Sequence, residues 1–295
     1  MHAHNTIKPW LRHAHDELLE TSETPWPDAE ILLAWLLEKP RTYLYAWPER
    51  PLEPDQIARY DQLIARRKAG EPVAYLTGRR EFWSREFQVT RDVLIPRPET
   101  ELLVELALAH IHSATPEHPF TVADLGTGSG AIAITIALEC PGTTVVAGDI
   151  SEKSLGIARS NAERLGAKNV EFYLSDWLDG LPPQRFDVIV SNPPYIPEHD
   201  PYLSKGDLRF EPAHALVSGN DGLHAIRRIA AAARQRLQAG GALLLEHGYD
   251  QAAKIQAMLH GLGYAAVSTH RDLAGLDRVT MGKYYWQEGN SSRPK

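Results

Sequence analysis

The chain has 295 residues, of which 43% are hydrophobic and 23% charged, as in an ordinary globular protein with sequence for about two domains. Its 31 lysines and arginines against 38 aspartates and glutamates give a formal net charge of -7, which disfavours non-specific binding to nucleic acid. The single cysteine, Cys140, excludes an internal disulfide, and no apolar run approaches the ~20 residues that span a bilayer. We therefore expect a cytoplasmic protein that does not insert into membranes.

The first 80 residues have apolar side chains at helical spacing, interrupted by prolines. Two such stretches follow a Pro-Asp pair, at 27–28 and 54–55, which is typical of a first helical turn. The sequence therefore predicts a small helical domain over 1–80. Its four tryptophans are expected in the core rather than on a binding surface: Trp10, Trp26, Trp35 and Trp47.

From Phe82 to Val93 the sequence alternates as a β-hairpin would, which predicts a hairpin linker over 81–97. Beyond it, helical segments alternate with short apolar strands, beginning with a helix at 99–112. The predicted strands are TVADL (121–125), TVVAGDI (144–150), VEFYLS (170–175), FDVIVS (186–191), GALLLEH (241–247) and a C-terminal pair near 264–270 and 278–285. This alternation predicts an α/β domain over 98–295, with a parallel sheet covered by helices on both faces.

A glycine-rich loop, Asp124-Leu-Gly126-Thr127-Gly128-Ser129-Gly130, lies where a predicted strand turns into a helix. Glycines let the backbone approach a ligand closely, and a helix start presents free N–H groups. Asp149 follows at the end of the next strand, where an acid would bind ribose hydroxyls. The loop alone fits NAD or S-adenosylmethionine equally, and a glycine-rich turn without a ligand is a third reading.

The segment Ser191-Asn192-Pro193-Pro194-Tyr195 follows an apolar strand. Two prolines cannot continue a central strand, so the chain should leave the sheet at its carboxyl edge, beside the glycine loop. There the side-chain oxygen of Asn192 and the backbone carbonyl of Pro193 could accept both hydrogens of a substrate NH₂ group, with Pro194 and Tyr195 shaping the slot and the Tyr195 ring stacking on it. The candidate catalytic residues are Asn192, Pro193 and Tyr195, and positioning favours methylation of an amide or an aromatic amine.

Eight segments, in order, make the chain similar to the HemK/PrmC family, the peptide chain release factor N5-glutamine methyltransferases. They are GEPVAYLTGRREFW (70–83), LIPRPETELLV (94–104), DLGTGSGAIAI (124–134), DIS (149–151), SDW (175–177), SNPPYI (191–196), EPAHAL (211–216) and LLLEHGYDQ (243–251). The resemblance implies a class I S-adenosylmethionine-dependent methyltransferase domain with a Rossmann-like sheet, preceded by a small helical domain for substrate recognition. It also implies methylation of the glutamine of a Gly-Gly-Gln motif in class-1 release factors, which modulates translation termination, with S-adenosylhomocysteine as the other product.

By matching position, the resemblance places the methionine part of the cofactor against Gly126 to Gly130, the ribose at Asp149 and the adenine along Trp177. Asn192 would contact both the cofactor and the glutamine amide. The segment 96–100 would border the active site, where Arg97 could act directly or pair with Glu99 or Glu101.

Three other functions remain open on sequence grounds. A nucleic-acid methyltransferase acting on adenine N6 or cytosine N4 would use the same Asn-Pro-Pro-Tyr chemistry, and a non-catalytic cofactor-binding module or an NAD-dependent oxidoreductase would use the glycine loop. We expect class-1 release factors as partners, no nucleic acid and no membrane, a monomer, and no metal, since the histidine pairs lack further ligands. Glu246 and Asp250 are expected to support structure, and the segment 196–210 to order around an incoming substrate loop.

Overall fold

The computed structural model describes residues 5–114 and 118–285. The chain divides into two compact units. The first comprises the described residues up to Arg79 together with Pro201–Phe210, and the second comprises Arg80–Asp200 and the described residues from Glu211 onward. Within the described ranges, no helix has both the length and the apolar character needed to cross a bilayer.

The first unit is helical, as its proline-punctuated pattern predicts. Its helices are α1 (Ile7–Leu18), α2 (Pro25–Leu36), α3 (Arg41–Ala46), α4 (Pro54–Lys68) and α5 (Val73–Thr77). Prolines in the first turn begin α2 and α4, and Glu53 with Gln56 forms a capping box on α4. A single apolar cluster joins the helices, and Tyr60 at its centre donates a hydrogen bond to the Ala29 carbonyl at 2.8 Å.

The four tryptophans of this unit do not share one environment. Trp10 and Trp35 pack against the apolar cluster, as expected. Trp26 and Trp47 are 38% and 60% exposed, so the expectation of core packing is wrong for these two. Both lie at helix ends, Trp26 in the first turn of α2 and Trp47 just after α3, where the helical stripe that buries a side chain is incomplete.

The segment Pro201–Phe210 forms two 3₁₀-helices held by charged side chains of the first unit. Arg67 of α4 donates to Asp207 at 3.2 Å and to the buried Asp28 at 2.7 Å. Arg209 donates to the Ala69 carbonyl at 2.8 Å. Residues 201–210 therefore have hydrogen-bond partners within the first unit. The expectation that the segment 196–210 orders around a substrate loop did not include these contacts.

The second unit begins with a hairpin of β1 (Arg79–Phe82) and β2 (Arg85–Gln88), three residues earlier than the alternating pattern starts. Trp83 and Ser84 connect the strands with φ of 52° and 54°, as a two-residue type I′ turn requires. Phe82 and Phe87 meet edge to face and join the core.

A seven-stranded sheet forms the centre of this unit, in the order β5-β4-β3-β6-β7-β9-β8. The strands are β3 (Thr121–Leu125), β4 (Thr144–Asp149), β5 (Val170–Leu174), β6 (Phe186–Ser191), β7 (Leu237–Glu246), β8 (Ala265–Arg271) and β9 (Asp277–Tyr284). The first five in this order are parallel, and β9 is antiparallel to both its neighbours. The α/β prediction is thus confirmed, with an antiparallel C-terminal edge.

Five helices cover the sheet: α6 (Glu101–Ser113), α7 (Ala131–Glu139), α8 (Glu152–Leu165), α9 (His224–Arg236) and α10 (Ala252–Gly261). They contribute to two separate apolar clusters, α6, α7 and α8 to one, α9 and α10 to the other. The strand order reverses at β3, which has β4 on one side and β6 on the other. Loops after β3 and β6 therefore leave the carboxyl edge as neighbours, which is where open α/β sheets bind ligands.

Asn161, a fully buried residue of α8, ties the hairpin to the glycine loop. Its side-chain amide donates to the carbonyls of Gln88 and Ser129, at 3.0 and 2.9 Å, and its oxygen accepts from the Gln88 N–H at 2.7 Å. One side chain thus satisfies three backbone groups.

We predict that Asn161→Ala lowers the free energy of unfolding by ~2–4 kcal/mol, since it leaves buried backbone groups without partners. Urea denaturation followed by circular dichroism measures the loss. The control is Ser160→Ala on the exposed side of the same helix, where the hydroxyl bonds only the Gln88 side chain and we expect a change under ~0.5 kcal/mol. Equal midpoints for the two variants would contradict this role.

Candidate active site

A cavity of about 340 Å³ lies within the second unit. The sequence-predicted residues that line it are Gly126, Gly128, Asp149, Trp177, Asn192 and Pro194. The glycine loop and the Asn-Pro-Pro-Tyr segment, 60 residues apart in the chain, therefore share one wall, as the sheet order requires. The cavity has the size of a binding site for a small organic ligand.

The glycine loop reaches the cavity because its backbone takes conformations that other residues avoid. Gly126 has a φ of +76°, and its amide and that of Thr127 donate to the Gly148 carbonyl at 2.9 and 3.0 Å. A Cβ on Gly126 would also stand 3.4 Å from the Trp177 ring. Glycine thus gives the loop its bend and lets the indole lie directly against the backbone.

Three predicted loop residues, all described, stand behind the cavity wall rather than in it. The Thr127 hydroxyl donates to Asp124 at 2.6 Å, the Ser129 carbonyl accepts from Asn161, and Gly130 precedes the first turn of α7. Burial raises the pKa of Asp124 to about 7, although the Thr127 hydrogen bond opposes this rise. Their direct contact with a cofactor stays a prediction.

Asp149 is buried at the end of β4, beside the loop. One carboxylate oxygen accepts from the Gly128 amide at 2.9 Å and the other from the Ser151 amide at 2.9 Å. Burial raises the pKa of Asp149, and these backbone hydrogen bonds oppose the rise. An ionised carboxylate has about four lone-pair sites, so two remain for ribose hydroxyls.

The cavity that Asp149 lines also has apolar surface that could contact a ring. Trp177 takes a left-handed backbone conformation, with a φ of +56°, and lines the cavity. Ile150, which sequence reasoning missed, lines it while 64% exposed. Asp176 also lines the cavity, but its carboxylate accepts hydrogen bonds from Arg228 at 2.9 and 3.2 Å.

Asn192 is half-buried at the end of β6, with its side chain in the cavity wall. Its amide nitrogen donates to the Thr100 hydroxyl oxygen at 3.1 Å. The NH₂ end of the Asn192 side chain is therefore engaged by Thr100. Acceptance of a substrate N–H group by Asn192 stays a prediction, and the Thr100 contact joins the segment 96–100 to the site.

Of the other motif residues, Pro194 lies in the cavity lining and Pro193 and Tyr195 lie outside it. Pro194 lines the cavity, whereas Pro193 is buried behind it. The Tyr195 ring packs against an apolar cluster and its hydroxyl lies 3.5 Å from a Glu246 carboxylate oxygen. Burial and the negative charge of Glu246 raise the pKa of Tyr195. Stacking of Tyr195 on a substrate stays a prediction.

Sequence reasoning missed the acidic residue that holds the segment before Thr100. Glu211 accepts from the Ile95 amide at 3.1 Å and from the Arg97 guanidinium. Of the two possibilities left open for Arg97, the structural ion pair is formed, but with Glu211 rather than with Glu99 or Glu101. The carboxylate of Glu101 accepts from the Trp83 amide at 2.7 Å. Arg97 and Glu211 are 114 residues apart in sequence. The sequence feature that pointed to Glu211 was its segment EPAHAL (211–216), which resembles the family.

Glu246, expected only to support structure, is the second missed residue. It is 1% exposed at the end of β7, and within the described chain its second carboxylate oxygen has no hydrogen-bond partner. Burial raises the pKa of Glu246 from 4.5 to about 7, although the nearby Thr100 hydroxyl and the charge of Arg278 oppose the rise. A buried carboxyl group with a raised pKa is a candidate functional residue.

Comparison with known proteins identifies the class and then the family. Residues 9–78 match the PrmC N-terminal domain and residues 117–281 a methyltransferase domain. A methyltransferase from Pyrococcus furiosus has the same fold, with a TM-score of 0.50 at 18% identity over 79% of this chain and all of that one. The protein is thus an S-adenosylmethionine-dependent methyltransferase.

Curated relatives give the particular family. The release factor glutamine methyltransferase of Vibrio cholerae is 47% identical over 95% of this chain and 97% of its own, and that of Burkholderia pseudomallei is 51% identical over 95% and 99%. The chain belongs to the release factor glutamine methyltransferase family. The cavity fits S-adenosylmethionine, since it offers a buried carboxylate, a glycine loop and apolar ring surfaces in one wall.

The buried Glu246 makes a prediction about stability. Because its folded pKa lies above its unfolded value, protonation of Glu246 stabilises the fold below about pH 4.5, and this contribution is lost as the pH rises through about 7. Glu246→Gln cannot ionise. We expect it to be more stable than the wild type by ~3 kcal/mol at pH 8 and nearly equal to it at pH 5.

Thermal denaturation at both pH values measures this difference. The control is Glu105→Gln on the exposed face of α6, which shows whether the difference is specific to the buried position. A Glu246→Gln variant with the same pH dependence as the wild type would show that Glu246 does not titrate between pH 5 and pH 8.

Proposed function

We propose that this enzyme transfers the methyl group of S-adenosylmethionine to the side-chain amide nitrogen, N5, of the glutamine in the Gly-Gly-Gln motif of class-1 release factors, and so modulates translation termination. The position of Asn192 carries this proposal, since it lines the cavity beside the glycine loop while its NH₂ group donates to Thr100, which leaves its side-chain oxygen to accept from a substrate. An amide oxygen in this place suits an NH₂ substrate rather than a hydroxyl or a carboxylate, because it accepts N–H groups.

A glutamine amide is a poor nucleophile because its nitrogen lone pair is delocalised into the carbonyl. In the proposed reaction the Asn192 oxygen and the Pro193 carbonyl accept its two N–H groups. These contacts orient the lone pair and stabilise the positive charge that develops on nitrogen. The cofactor supplies an electrophilic methyl group on sulfonium. The C–N bond forms as the C–S bond breaks, and methylglutamine, S-adenosylhomocysteine and a proton result.

The cofactor would lie along the wall from the glycine loop to Trp177. Gly126, Thr127, Gly128, Ser129 and Gly130 would surround its methionine part through their main chain. Asp149 would accept from the ribose hydroxyls, and the indole of Trp177 and the exposed Ile150 would hold the adenine. Asn192 would contact the methionine part as well as the substrate.

The first unit would recognise the release factor, as its match to the PrmC N-terminal domain suggests. We also propose that the enzyme acts as a monomer in the cytoplasm and binds no nucleic acid directly. A reducing compartment suits a chain with one cysteine, and a net charge of -7 disfavours phosphate contacts.

A second candidate substrate is the exocyclic amine of adenine or cytosine. The same pair of acceptors fits that planar NH₂ group, which a flipped nucleotide would present. The test below therefore includes nucleic acid.

We predict that Asn192→Ala lowers kcat for methylation of a release factor by ~10²–10³-fold, which is typical of losing one positioned polar group in an active site. Mass spectrometry of the Gly-Gly-Gln peptide measures the product and locates the methyl group. Calorimetry should show S-adenosylmethionine binding weakened by less than ~10-fold, because Gly126 and Asp149 remain.

A release factor with Gln→Ala in the motif is the substrate control and should take up no methyl group. Single-stranded and duplex DNA oligonucleotides should also remain unmethylated. Methyl transfer to DNA but not to the release factor would replace this proposal with the second candidate, and full turnover by Asn192→Ala would remove Asn192 from the mechanism.

A further inference from the structure

Gln251, the residue before α10, contacts the Asn-Pro-Pro-Tyr segment. Its side-chain NH₂ group donates to the Tyr195 carbonyl at 2.9 Å, and its side-chain oxygen accepts from the Gly248 amide at 2.9 Å. Gln251 is 6% exposed, and it is not among the described residues that line the cavity. It therefore touches the segment from outside the cavity and can act on a substrate only through the backbone of that segment.

The two partners of Gln251 fix the direction in which its amide points. A backbone N–H only donates and a backbone carbonyl only accepts, so a reversed amide would place donor against donor and acceptor against acceptor. Helix capping does not account for these contacts, since within the described chain the Gln251 side chain makes no capping hydrogen bond to the first turn of α10. The side chain instead joins the turn after β7 to the Tyr195 carbonyl.

Gly222 lies against the same carbonyl. It has a φ of +74°, and a Cβ at this position would stand 2.2 Å from the Tyr195 oxygen and 2.7 Å from the Gln251 side-chain nitrogen. The Ile196 amide donates to the Leu216 carbonyl at 2.9 Å. Both polar groups of the peptide unit between Tyr195 and Ile196 are therefore bonded, and there is no room for a side chain beside it.

Other contacts hold the start of the segment. The Ser191 hydroxyl donates to the Leu125 carbonyl at 2.6 Å, and the Asn192 side chain donates to Thr100 at 3.1 Å. Between these contacts and Tyr195 stand two prolines, whose rings fix φ and which restrict the residue before each of them. A stiff segment that is held at both ends has little freedom between them.

We propose that Gln251 is a positioning residue: it holds the Tyr195 carbonyl and thereby the direction of the Pro193 carbonyl, the second acceptor in the proposed reaction. Without Gln251 the peptide unit after Tyr195 could turn, and the stiff prolines would carry this turn to Pro193. A displacement of about 1 Å by a remote substitution can cost ~10²-fold in rate. The role in turnover rests on the function proposed above, whereas the contact with Tyr195 can be measured without a substrate.

Gln251→Met keeps the length of the side chain and removes both hydrogen bonds. We expect kcat for release factor methylation to fall ~10–100-fold, with KM for the release factor and S-adenosylmethionine affinity within ~3-fold, because Gln251 lies outside the cavity. The control is Gln256→Met on the same helix, which removes a hydrogen bond to Thr269 at 2.8 Å and should leave kcat unchanged. Equal kcat values in the two variants would overturn the proposal.

Gln251→Glu changes one contact and keeps the other. Ionised, the new carboxylate still accepts from Gly248 but sets an acceptor against the Tyr195 carbonyl; protonated, it can donate to that carbonyl again. Relative to the wild type, we expect kcat to be ~10–100-fold lower at pH 8 and to recover at pH 5, whereas the ratio for Gln251→Met stays constant. The titratable groups of 246–250 are the same in all three proteins and cancel in the ratio. The same pH dependence in both variants would contradict a role through Tyr195.

A measurement without substrate separates this proposal from the function on which it rests. Tyrosine followed by isoleucine occurs once in the sequence, at 195–196. Labelling tyrosine carbonyls with ¹³C and isoleucine amides with ¹⁵N therefore gives a single NMR cross-peak for the peptide unit that Gln251 holds. Its ¹³C shift should change in Gln251→Met and stay at the wild-type position in Gln256→Met. An unchanged shift in Gln251→Met would refute the contact, whereas the expected change with no methylation of a release factor by the wild type would refute only the choice of substrate.

Discussion

Parallel pairing of β3 with β6, with Asp124 opposite Val190, determines where the two loops that follow these strands leave the sheet. The loop after β3 bends through glycines and exposes its amides, and the loop after β6 cannot extend the sheet because of its prolines. Neither loop makes a site by itself. Because the strand order reverses at β3, the two meet over one cavity, and a cofactor held by the first lies against the substrate acceptor on the second.

The same edge collects carboxylates that are costly to bury. Asp124 and Glu246 are almost inaccessible and burial raises the pKa of each to about 7, while Asp149 is held by two backbone amides. Each has one feature that a residue present only for packing would lack. Asp124 fixes Thr127 in the loop, Asp149 lines the cavity, and one carboxylate oxygen of Glu246 has no hydrogen-bond partner among the described residues. Stability is given up at this edge because ligand binding needs fixed acceptors there.

Local pattern predicted most of the fold and half of the site. The strands and helices of the α/β unit were predicted because each carries its own period, and the glycine loop and Asn192 were predicted because their chemistry lies within a few consecutive residues. Contacts between distant segments could not be predicted from one sequence. Arg97 pairs with Glu211, which is more than a hundred residues away in sequence. The hydrogen bond between Asn192 and Thr100 forms because α6 begins beside β6. The exposure of Trp47 was not predicted for a different reason, because helical periodicity does not indicate burial at a helix end.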